Sequence, residues 1–241
     1  MKVSFVIPTL DEQDWIGPQV GRCLALSPAP EVIVSDGGSA DATAERARAS
    51  GARFLRATRR GRAPQMNEGA RAAAGDVFVF LHADVRLGPE AYGELREALQ
   101  DPHVLGGAFR RRFDSPSRLL RLGCRLADLR GRRIGVFLGD QAIFVRKSAF
   151  FQLGGFREIL LFEDVEFSRR MRRHGKTLLL SEEVIASSRR FDHEGNLGRL
   201  TKNVWLTALY LAGVHPDRLA RRYYPDLCGQ AYSSAAGREG R

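Results

Sequence analysis

Two apolar stretches of the sequence end in acidic residues that could orient a ligand and hold a cation. Residues 32–34 lead to Asp36 and two glycines, and residues 77–81 lead to His82 and Asp84. Such stretches are typical of buried strands, and open α/β sheets bind ligands beyond the carboxyl ends of their strands. We therefore expect Asp36 and Asp84 side by side at one sheet edge. Two carboxylates there suit a nucleoside diphosphate with its metal ion.

The segment after Asp36 has the composition of a ligand-binding turn. Gly37 and Gly38 allow a sharp turn and a close approach to a ligand, and Ser39 or Asp41 can cap the helix that follows. A well-capped strand-to-helix turn explains the same residues equally well. The loop does not contain the dinucleotide fingerprint G-x-G-x-x-G, which disfavours a nicotinamide-dependent enzyme.

A second group of acids begins a predicted helix. Glu163, Asp164 and Glu166 lie in its first turn, where acids stabilise a helix through its dipole. Three acids are more than a cap requires. Asp164 could therefore act as a general base that removes the proton of a substrate hydroxyl.

Arginine residues supply candidate contacts to an anion. Arg59, Arg60 and Arg62 precede a helix that is predicted to begin near Pro64, so guanidinium groups meet a helix N-terminus. A solvated basic turn is the simpler interpretation of this segment alone.

Two further segments could line the same cleft. Asp140 and Gln141 precede a predicted strand, and Arg189-Arg190-Phe191 follows another. His193 could add a third metal ligand, although a surface imidazole is the simpler interpretation.

Composition narrows the class of protein and partner. The 241 residues are 44% hydrophobic, and 38 basic against 28 acidic residues give a net charge of +10, nearly all of it from arginine. This charge favours phosphorylated substrates, an acidic lipid surface or nucleic acid. Nucleic acid is disfavoured because the sequence has neither zinc-finger spacing nor an aromatic RNA-binding motif.

Cysteine usage and the apolar runs predict the compartment. Cys23, Cys124 and Cys228 are too far apart for a C-x-x-C pair and read as reduced thiols. The sequence begins with a strand rather than a signal peptide, and no apolar run approaches membrane-spanning length. We expect a cytoplasmic protein.

The order of predicted elements in residues 1–100 is that of an α/β protein with a mostly parallel sheet. The predicted strands are 3–7, 31–35, 52–56 and 76–81, and the predicted helices lie near 15–26, 40–50, 63–74 and 89–100. Pro18 fits a first helical turn better than a helix interior, so we expect the first helix to begin later than its apolar pattern indicates.

Residues 101–225 are predicted to add an α+β half to the same domain. The predicted elements are strand 104–113, helix 116–129, strand 141–146, helix 163–174 and strands near 177–180 and 184–190. We expect a single domain over 1–225, with a nucleotide-binding half (1–100) and an acceptor half (101–225), and a disordered tail over 226–241.

The helix predicted over 196–212 offers a surface for a partner. Its face with Trp205 and Tyr210, followed by Arg218, Arg221 and Arg222, could contact anionic lipid as a peripheral membrane surface and reach a lipid-linked acceptor. Packing on the core or formation of a homodimer is the favoured interpretation.

Taken together, these motifs resemble the family 2 glycosyltransferases of the GT-A fold. In chain order the motifs are Pro8-Thr9-Leu10-Asp11-Glu12, Asp36-Gly37-Gly38-Ser39-x-Asp41-x-Thr43, Gly61 through Asn67-x-Gly69, His82-Ala83-Asp84, and Gly154-Gly155-Phe156 followed by Glu163-Asp164. Within the family, the chain is most similar to the small soluble bacterial members called selenodomain-associated transferases, which share Gly139-Asp140-Gln141, Arg189-Arg190-Phe191 and a C-terminal segment like Gly213-Val214-His215-Pro216.

The resemblance implies an inverting transfer from a UDP- or GDP-sugar to an unknown acceptor, usually with Mn²⁺ or Mg²⁺. It places Pro8, Thr9, Asp11 and Asp36 at the base and ribose, Arg60 or Arg62 at the diphosphate, Asp140 and Gln141 in the donor cleft, Asp84 at the metal, and Asp164, preceded by Glu163, as the catalytic base. His82 replaces the first acid of the family's D-x-D motif. An imidazole suits Mn²⁺ better than Mg²⁺, so either Asp84 ligates the metal alone with the diphosphate, or the metal preference shifts toward Mn²⁺.

Two other classes remain open on the sequence. A sugar-nucleotide-binding protein without catalysis is compatible with the altered D-x-D motif. A nucleotidyltransferase also uses a glycine-rich loop and a metal, but it usually carries a basic glycine-rich signature after the first strand, where this chain has residues 9–12.

Overall fold

The computed structural model describes residues 1–189 and 196–223, which form an α/β structure around one sheet. The strands in this part of the chain are β1 (Val3–Thr9), β2 (Glu31–Asp36), β3 (Arg53–Arg56), β4 (Val77–Phe80), β5 (Val85–Arg86), β6 (Val104–Phe113), β7 (Ile143–Arg146) and β8 (Lys176–Ala186). The helices are α1 (Gln13–Leu24), α2 (Thr43–Ala49), α3 (Arg62–Ala72), α4 (Pro89–Ala98), α5 (Arg118–Ile134), α6 (Lys147–Gln152), α7 (Glu163–His174), α8 (Asn196–Leu211) and α9 (Pro216–Tyr223).

The sheet has the strand order β3-β2-β1-β4-β7-β6-β8-β5. The first four of these strands are parallel, as the alternation of strands and helices predicts. Strand β7 is antiparallel to both neighbours, and β6 is parallel to β8. The second half of the chain therefore extends the first sheet rather than building a separate one.

The register of the strands brings several chain segments to one sheet edge. Thr9 pairs with Asp36 where β1 and β2 end, and Phe80 at the end of β4 pairs with Ile143 at the start of β7. The residues before β7 therefore lie at the same edge as the residues after β4. Asp36 and Asp84 share this edge, but they are not side by side as predicted, because β1 lies between β2 and β4.

Helices cover both faces of the sheet. On one face, Phe5 and Ile7 of β1 pack with Ile16 of α1 and Leu95 of α4. On the other face, Val6 belongs to the cluster that contains residues of α3, α6 and α7. Because both faces are buried, the strands read as continuous apolar runs, which is typical of parallel sheets.

The structure differs from the predicted elements at several points. Helix α1 begins at Gln13 and contains Pro18 in its interior, so the prediction of a later start was wrong. Burial of Ile16, Val20 and Cys23 along one side stabilises the helix despite the proline. The strands predicted near 177–180 and 184–190 form the single strand β8, with an irregularity in its pairing opposite Phe109 and Arg110.

Other differences concern short elements and the C-terminal region. Residues 139–141 form a 3-10 turn, so the strand predicted from residue 141 begins at Ile143, and helices α6 and α9 were not predicted. Helix α5 continues beyond residue 129 to Ile134. The predicted tail 226–241 lies outside the described residues. None of the helices described is both long enough and apolar enough to cross a bilayer.

Candidate active site

The Asp36 carboxylate organises the loop that follows β2. It is 2% exposed, and its Oδ2 accepts hydrogen bonds from the backbone N–H groups of Gly38 and Ser39, both at 3.0 Å. The hydroxyl of Ser39 donates to Oδ1, and the Thr9 hydroxyl lies 3.5 Å from the same atom. Asp36 is thus held rigidly at the sheet edge, with Thr9 beside it.

Asp11 joins this loop to the one after β1. Its backbone lies in the left-handed region, with φ of 52°. Its Oδ1 accepts the N–H of Ala40 at 2.8 Å, and its own N–H donates to Ser39 Oγ at 2.9 Å. The structure therefore brings together the predicted nucleotide-binding residues Thr9, Asp11 and Asp36.

Gln65 is a positioning residue that the sequence analysis missed. Its buried side chain on α3 donates to the carbonyl of Thr9 at 2.6 Å and to that of Ser35 at 2.8 Å. Gly69, one turn later, allows this approach because a Cβ there would overlap Val6 of β1. Pro8 is buried in β1 and pairs with Ser35 in the sheet register.

Asp84 forms an ion pair that was not predicted. Its Oδ2 lies 3.0 Å from Nη2 and 3.1 Å from Nε of Arg189. The same guanidinium bonds to both carboxylate oxygens of Glu12, at 2.6 and 2.7 Å, and its carbon lies 4.9 Å from the centre of the Trp15 ring. Arg189, which directly follows the β8 region, therefore connects the loops after β1 and β4.

His82 contacts a different neighbour. An ideal Cβ on Gly139 would lie 2.9 Å from His82 Nε2 and 3.4 Å from Asp164 Oδ2. The histidine ring and the Asp164 carboxylate therefore flank the same glycine. Among the described residues, no three His, Cys, Asp or Glu side chains form a cluster that could hold a metal ion.

The Asp164 carboxylate is buried at the start of α7. It is 8% exposed, and its Oδ2 accepts the backbone N–H of Gly139 at 2.6 Å. Its Oδ1 accepts the N–H of Val165 at 2.7 Å. Gly139 itself lies in the turn before β7, so Asp164 is fastened to the sheet edge that also carries Asp36 and Asp84.

Glu163, beside Asp164, is 2% exposed and pairs with Arg62 of α3, with 3.0 Å between Oε1 and Nε. Burial raises the pKa of Glu163 to about 7; Arg62 opposes this rise, and the neighbouring Asp164 adds to it. Burial prevails because the Arg62 side chain is 43% exposed, where water screens its charge. Oε2 of Glu163 has no hydrogen-bond partner among the described residues, which also favours the protonated form.

The same causes act on the pKa of Asp164. Burial raises it, whereas Arg62 and the backbone N–H groups of Gly139 and Val165 lower it, and the rise prevails. A carboxylate whose pKa is raised toward neutrality is a stronger proton acceptor, which is what a general base needs.

Asp140 and Gln141 hold the turn that carries Gly139. Gln141 accepts the N–H of Leu138 at 3.0 Å and donates to the carbonyl of Phe109 at 3.2 Å. Asp140 forms a close ion pair with Arg111 of β6. Arg111 was not predicted. It lies two residues from both Phe109 and Phe113, so it shares the face of the strand on which these two side chains are buried.

The remaining predicted basic residues have different surroundings. Arg59 pairs with Glu158, and Arg60 has a buried Nε with no partner in the described ranges. Arg62 contacts Glu163, as described above. The predicted site residues Arg190, Phe191 and His193 lie outside the described residues.

The α8 face considered above as a possible lipid contact has two aromatic residues with different surroundings in the structure. The Tyr210 ring stacks on Phe162, with 4.7 Å between ring centres, directly before Glu163. Trp205 remains 56% exposed, and its Nε1 donates to the Tyr223 hydroxyl at 3.2 Å. Tyr210 therefore supports the start of α7.

Comparison with known protein families gives a match over most of the chain. The model described as "Glycosyl transferase family 2" matches residues 4–158. A search of curated protein sequences finds no match.

Solved structures share the fold at low sequence identity. The mannosyltransferase PcManGT from Pyrobaculum calidifontis, in complex with GDP-Man and Mn²⁺, is 17% identical with a TM-score of 0.68, over 98% of this chain and 74% of that one. Glucosyl-3-phosphoglycerate synthase from Mycobacterium tuberculosis, in complex with phosphoglyceric acid, is 21% identical with a TM-score of 0.60, over 88% and 80%.

A third structure is residues 1–349 of TarS from S. aureus in complex with UDP, which is 16% identical with a TM-score of 0.60, over 78% of this chain. The chain spans 60% of that segment and 65% of a similar mycobacterial protein. These neighbours confirm the predicted GT-A fold.

Proposed function

The chain belongs to glycosyl transferase family 2, and we propose that it transfers a sugar from a nucleoside diphosphate donor to an acceptor hydroxyl, with inversion at the anomeric carbon. One observation carries this proposal: the buried Asp164 carboxylate is bonded to Gly139 at the sheet edge where β1, β2 and β4 end. A fixed proton acceptor beside a donor-binding edge is what this transfer requires.

The donor's nucleotide is assigned to the loops after β1 and β2. Thr9, Asp11 and Asp36 offer oxygen atoms to the base and ribose of a UDP- or GDP-sugar, and Pro8 fixes the end of β1. Asp36 already bonds to its own loop, which pre-organises the loop for the ligand. Arg60, whose buried Nε has no partner among the residues described, is the favoured contact for the diphosphate.

Asp164 acts as the base in the proposed mechanism. Its carboxylate accepts the proton of the acceptor hydroxyl while that oxygen attacks the anomeric carbon. The bond from this carbon to the diphosphate oxygen breaks, and the electron pair leaves with the nucleoside diphosphate. Attack on the face opposite to the leaving group inverts the configuration. Glu163 lies beside this base and is paired with Arg62.

A divalent cation would be held jointly by side chains of the protein and by the bound donor. Asp84 offers a carboxylate and His82 an imidazole, and a bound donor would supply diphosphate oxygens, so Mn²⁺ suits the set better than Mg²⁺. When bound, such a cation would offset negative charge on the departing diphosphate. Because Arg189 pairs with Asp84 Oδ2, a bound ion must either share this carboxylate with Arg189 or displace the arginine from it.

Asp164→Asn tests the assignment of the base, since an amide cannot accept the proton. With UDP- and GDP-sugars and Mn²⁺, we expect donor hydrolysis or transfer to fall by roughly 10²- to 10⁴-fold while the donor still raises the melting temperature. The control is Asp14→Asn, at an exposed carboxylate of α1. An Asp164→Asn protein that retains the wild-type rate would remove Asp164 from the mechanism.

Assays of the wild type with sugar donors and with nucleoside triphosphates separate the two alternative functions. A donor-dependent rise in melting temperature without any turnover in the wild type would indicate a sugar-nucleotide-binding protein, and cleavage of a nucleoside triphosphate would indicate a nucleotidyltransferase. The single domain over 1–225 and the similarity to the selenodomain-associated group remain predictions, as do a cytoplasmic location and a homodimer.

A further inference from the structure

Helix α5 has an exposed apolar stripe on the side that faces away from the sheet. Leu122, Leu126 and Leu129 are 52%, 58% and 46% exposed. Their spacing of four and three residues places them on one side of the helix. The inner side, which includes Leu120, Cys124 and Ala127, is already buried. The stripe is therefore not required for packing the fold.

Arginine residues line one flank of this stripe and lie beyond its C-terminal end. They are exposed along the whole length of the helix, at Arg118, Arg121, Arg125, Arg132 and Arg133. The acidic residue of α5, Asp128, is bonded to Arg110 of β6 at 2.9 Å and so does not offset these charges outward. Helix α5 thus presents leucine side chains to solvent beside a strongly basic flank.

We propose that the outer side of α5 docks on an anionic phospholipid bilayer, with Leu122, Leu126 and Leu129 entering the interface and the arginines contacting lipid phosphates. Basic helices with an apolar face bind membranes in this way, parallel to the surface. Long arginine side chains on the flank of the stripe reach headgroups while their stems lie along apolar surface. This surface is distinct from the α8 face considered in the sequence analysis.

Charge disfavours a second copy of this chain as the occupant. Two α5 helices facing each other would bring five exposed arginines of each copy together, and such like charges repel. The stripe also lies on a convex helix and spans only about 10 Å along its axis, since α-helices rise 1.5 Å per residue. An anionic surface complements the charge of this helix, whereas a second copy of the basic helix does not.

Co-sedimentation with vesicles tests the proposal on the full chain. We expect binding to vesicles of 30% phosphatidylglycerol in phosphatidylcholine, little binding to pure phosphatidylcholine, and weaker binding at 0.5 M NaCl. Leu122→Ser/Leu126→Ser should lower the partition coefficient at least about tenfold, from the loss of apolar burial. Arg121→Gln/Arg125→Gln should lower it as well.

The control variant removes the same charge elsewhere. Arg22→Gln/Arg71→Gln takes two exposed arginines from α1 and α3 and should bind like the wild type. Circular dichroism and melting temperature establish that each variant is folded. Wild-type protein that stays in the supernatant with phosphatidylglycerol vesicles overturns the proposal. An equal loss of vesicle binding in the control and in the α5 charge variant also overturns the proposal. A further contrary result is a wild-type dimer, detected by sedimentation velocity, that becomes a monomer in the leucine variant.

Discussion

Replacing Glu163 by glutamine should change how the stability of the fold depends on pH. Burial raises the pKa of this carboxyl from its ordinary value of 4.5 to about 7. Below pH 4.5 both the folded and unfolded states hold the proton. Between pH 4.5 and 7 the unfolded state releases it and the folded state retains it, so the free energy of unfolding falls as pH rises. Above pH 7 this loss is complete.

The size of the effect follows from the difference between the two pKa values. One pKa unit corresponds to about 1.4 kcal/mol, so the shift of Glu163 costs the wild type about 3 kcal/mol at pH 8. Glutamine is neutral at every pH and keeps an oxygen that can accept from Arg62, which lies 3.0 Å from Oε1. Glu163→Gln should therefore match the wild type near pH 4.5 and exceed it by about 3 kcal/mol at pH 8.

Urea unfolding of both proteins at pH 5, 6, 7 and 8 measures this difference. Glu158→Gln serves as the control, because Glu158 also pairs with an arginine but its side chain is 30% exposed; its effect should stay below about 1 kcal/mol. Parallel pH dependence of the wild type and Glu163→Gln would refute the reasoning and show that Arg62 keeps Glu163 ionised throughout.

Three further outcomes follow from contacts in the site. Arg189→Gln removes the cation that lies 3.0 Å from Asp84 Oδ2, so Mn²⁺ in the presence of UDP should bind about tenfold more tightly by calorimetry; weaker binding would mean that Arg189 supports the ion site. Gly139→Ala places a methyl group 2.9 Å from His82 Nε2 and should lower turnover about 100-fold, whereas Gly93→Ala, with open space around it, should leave turnover unchanged. Gln65→Leu leaves the carbonyls of Thr9 and Ser35 unpaired, so the free energy of unfolding measured in urea should fall by about 2 kcal/mol. The donor-induced rise in melting temperature should also be smaller. An unchanged stability would show that water replaces the amide.

The parallel half of the fold could be predicted because its signals are local. Strands β1, β2 and β4 each contain an apolar run with a helical pattern after it, and the ends of β2 and β4 are marked by Asp36 and by His82-Ala83-Asp84. Their order in the sheet is not a local property. The insertion of β1 between β2 and β4 separates Asp36 from Asp84, and no spacing in the sequence reports it.

The contacts of the site were harder to predict than its members. Asp164 could be assigned a role from its motif, but its bond to Gly139 depends on how α7 meets the turn before β7. Arg189 was predicted to line the cleft, but its pairing with Asp84, across 105 residues of sequence, was not. The buried Arg111 could have been found, because the alternation of β6 places it on the same side as Phe109 and Phe113.

Because β5 pairs with β8, the candidate active site can be completed only late in the synthesis of the chain. Val85 is hydrogen-bonded beside Ala186, so the strand that follows Asp84 has no partner until nearly two hundred residues have left the ribosome. The parallel strands β1 to β4 can associate much earlier, since all their residues lie before position 81. A chain interrupted before β8 would therefore carry a formed nucleotide edge but lack Arg189 against Asp84, and truncated products would be unable to assemble the finished centre.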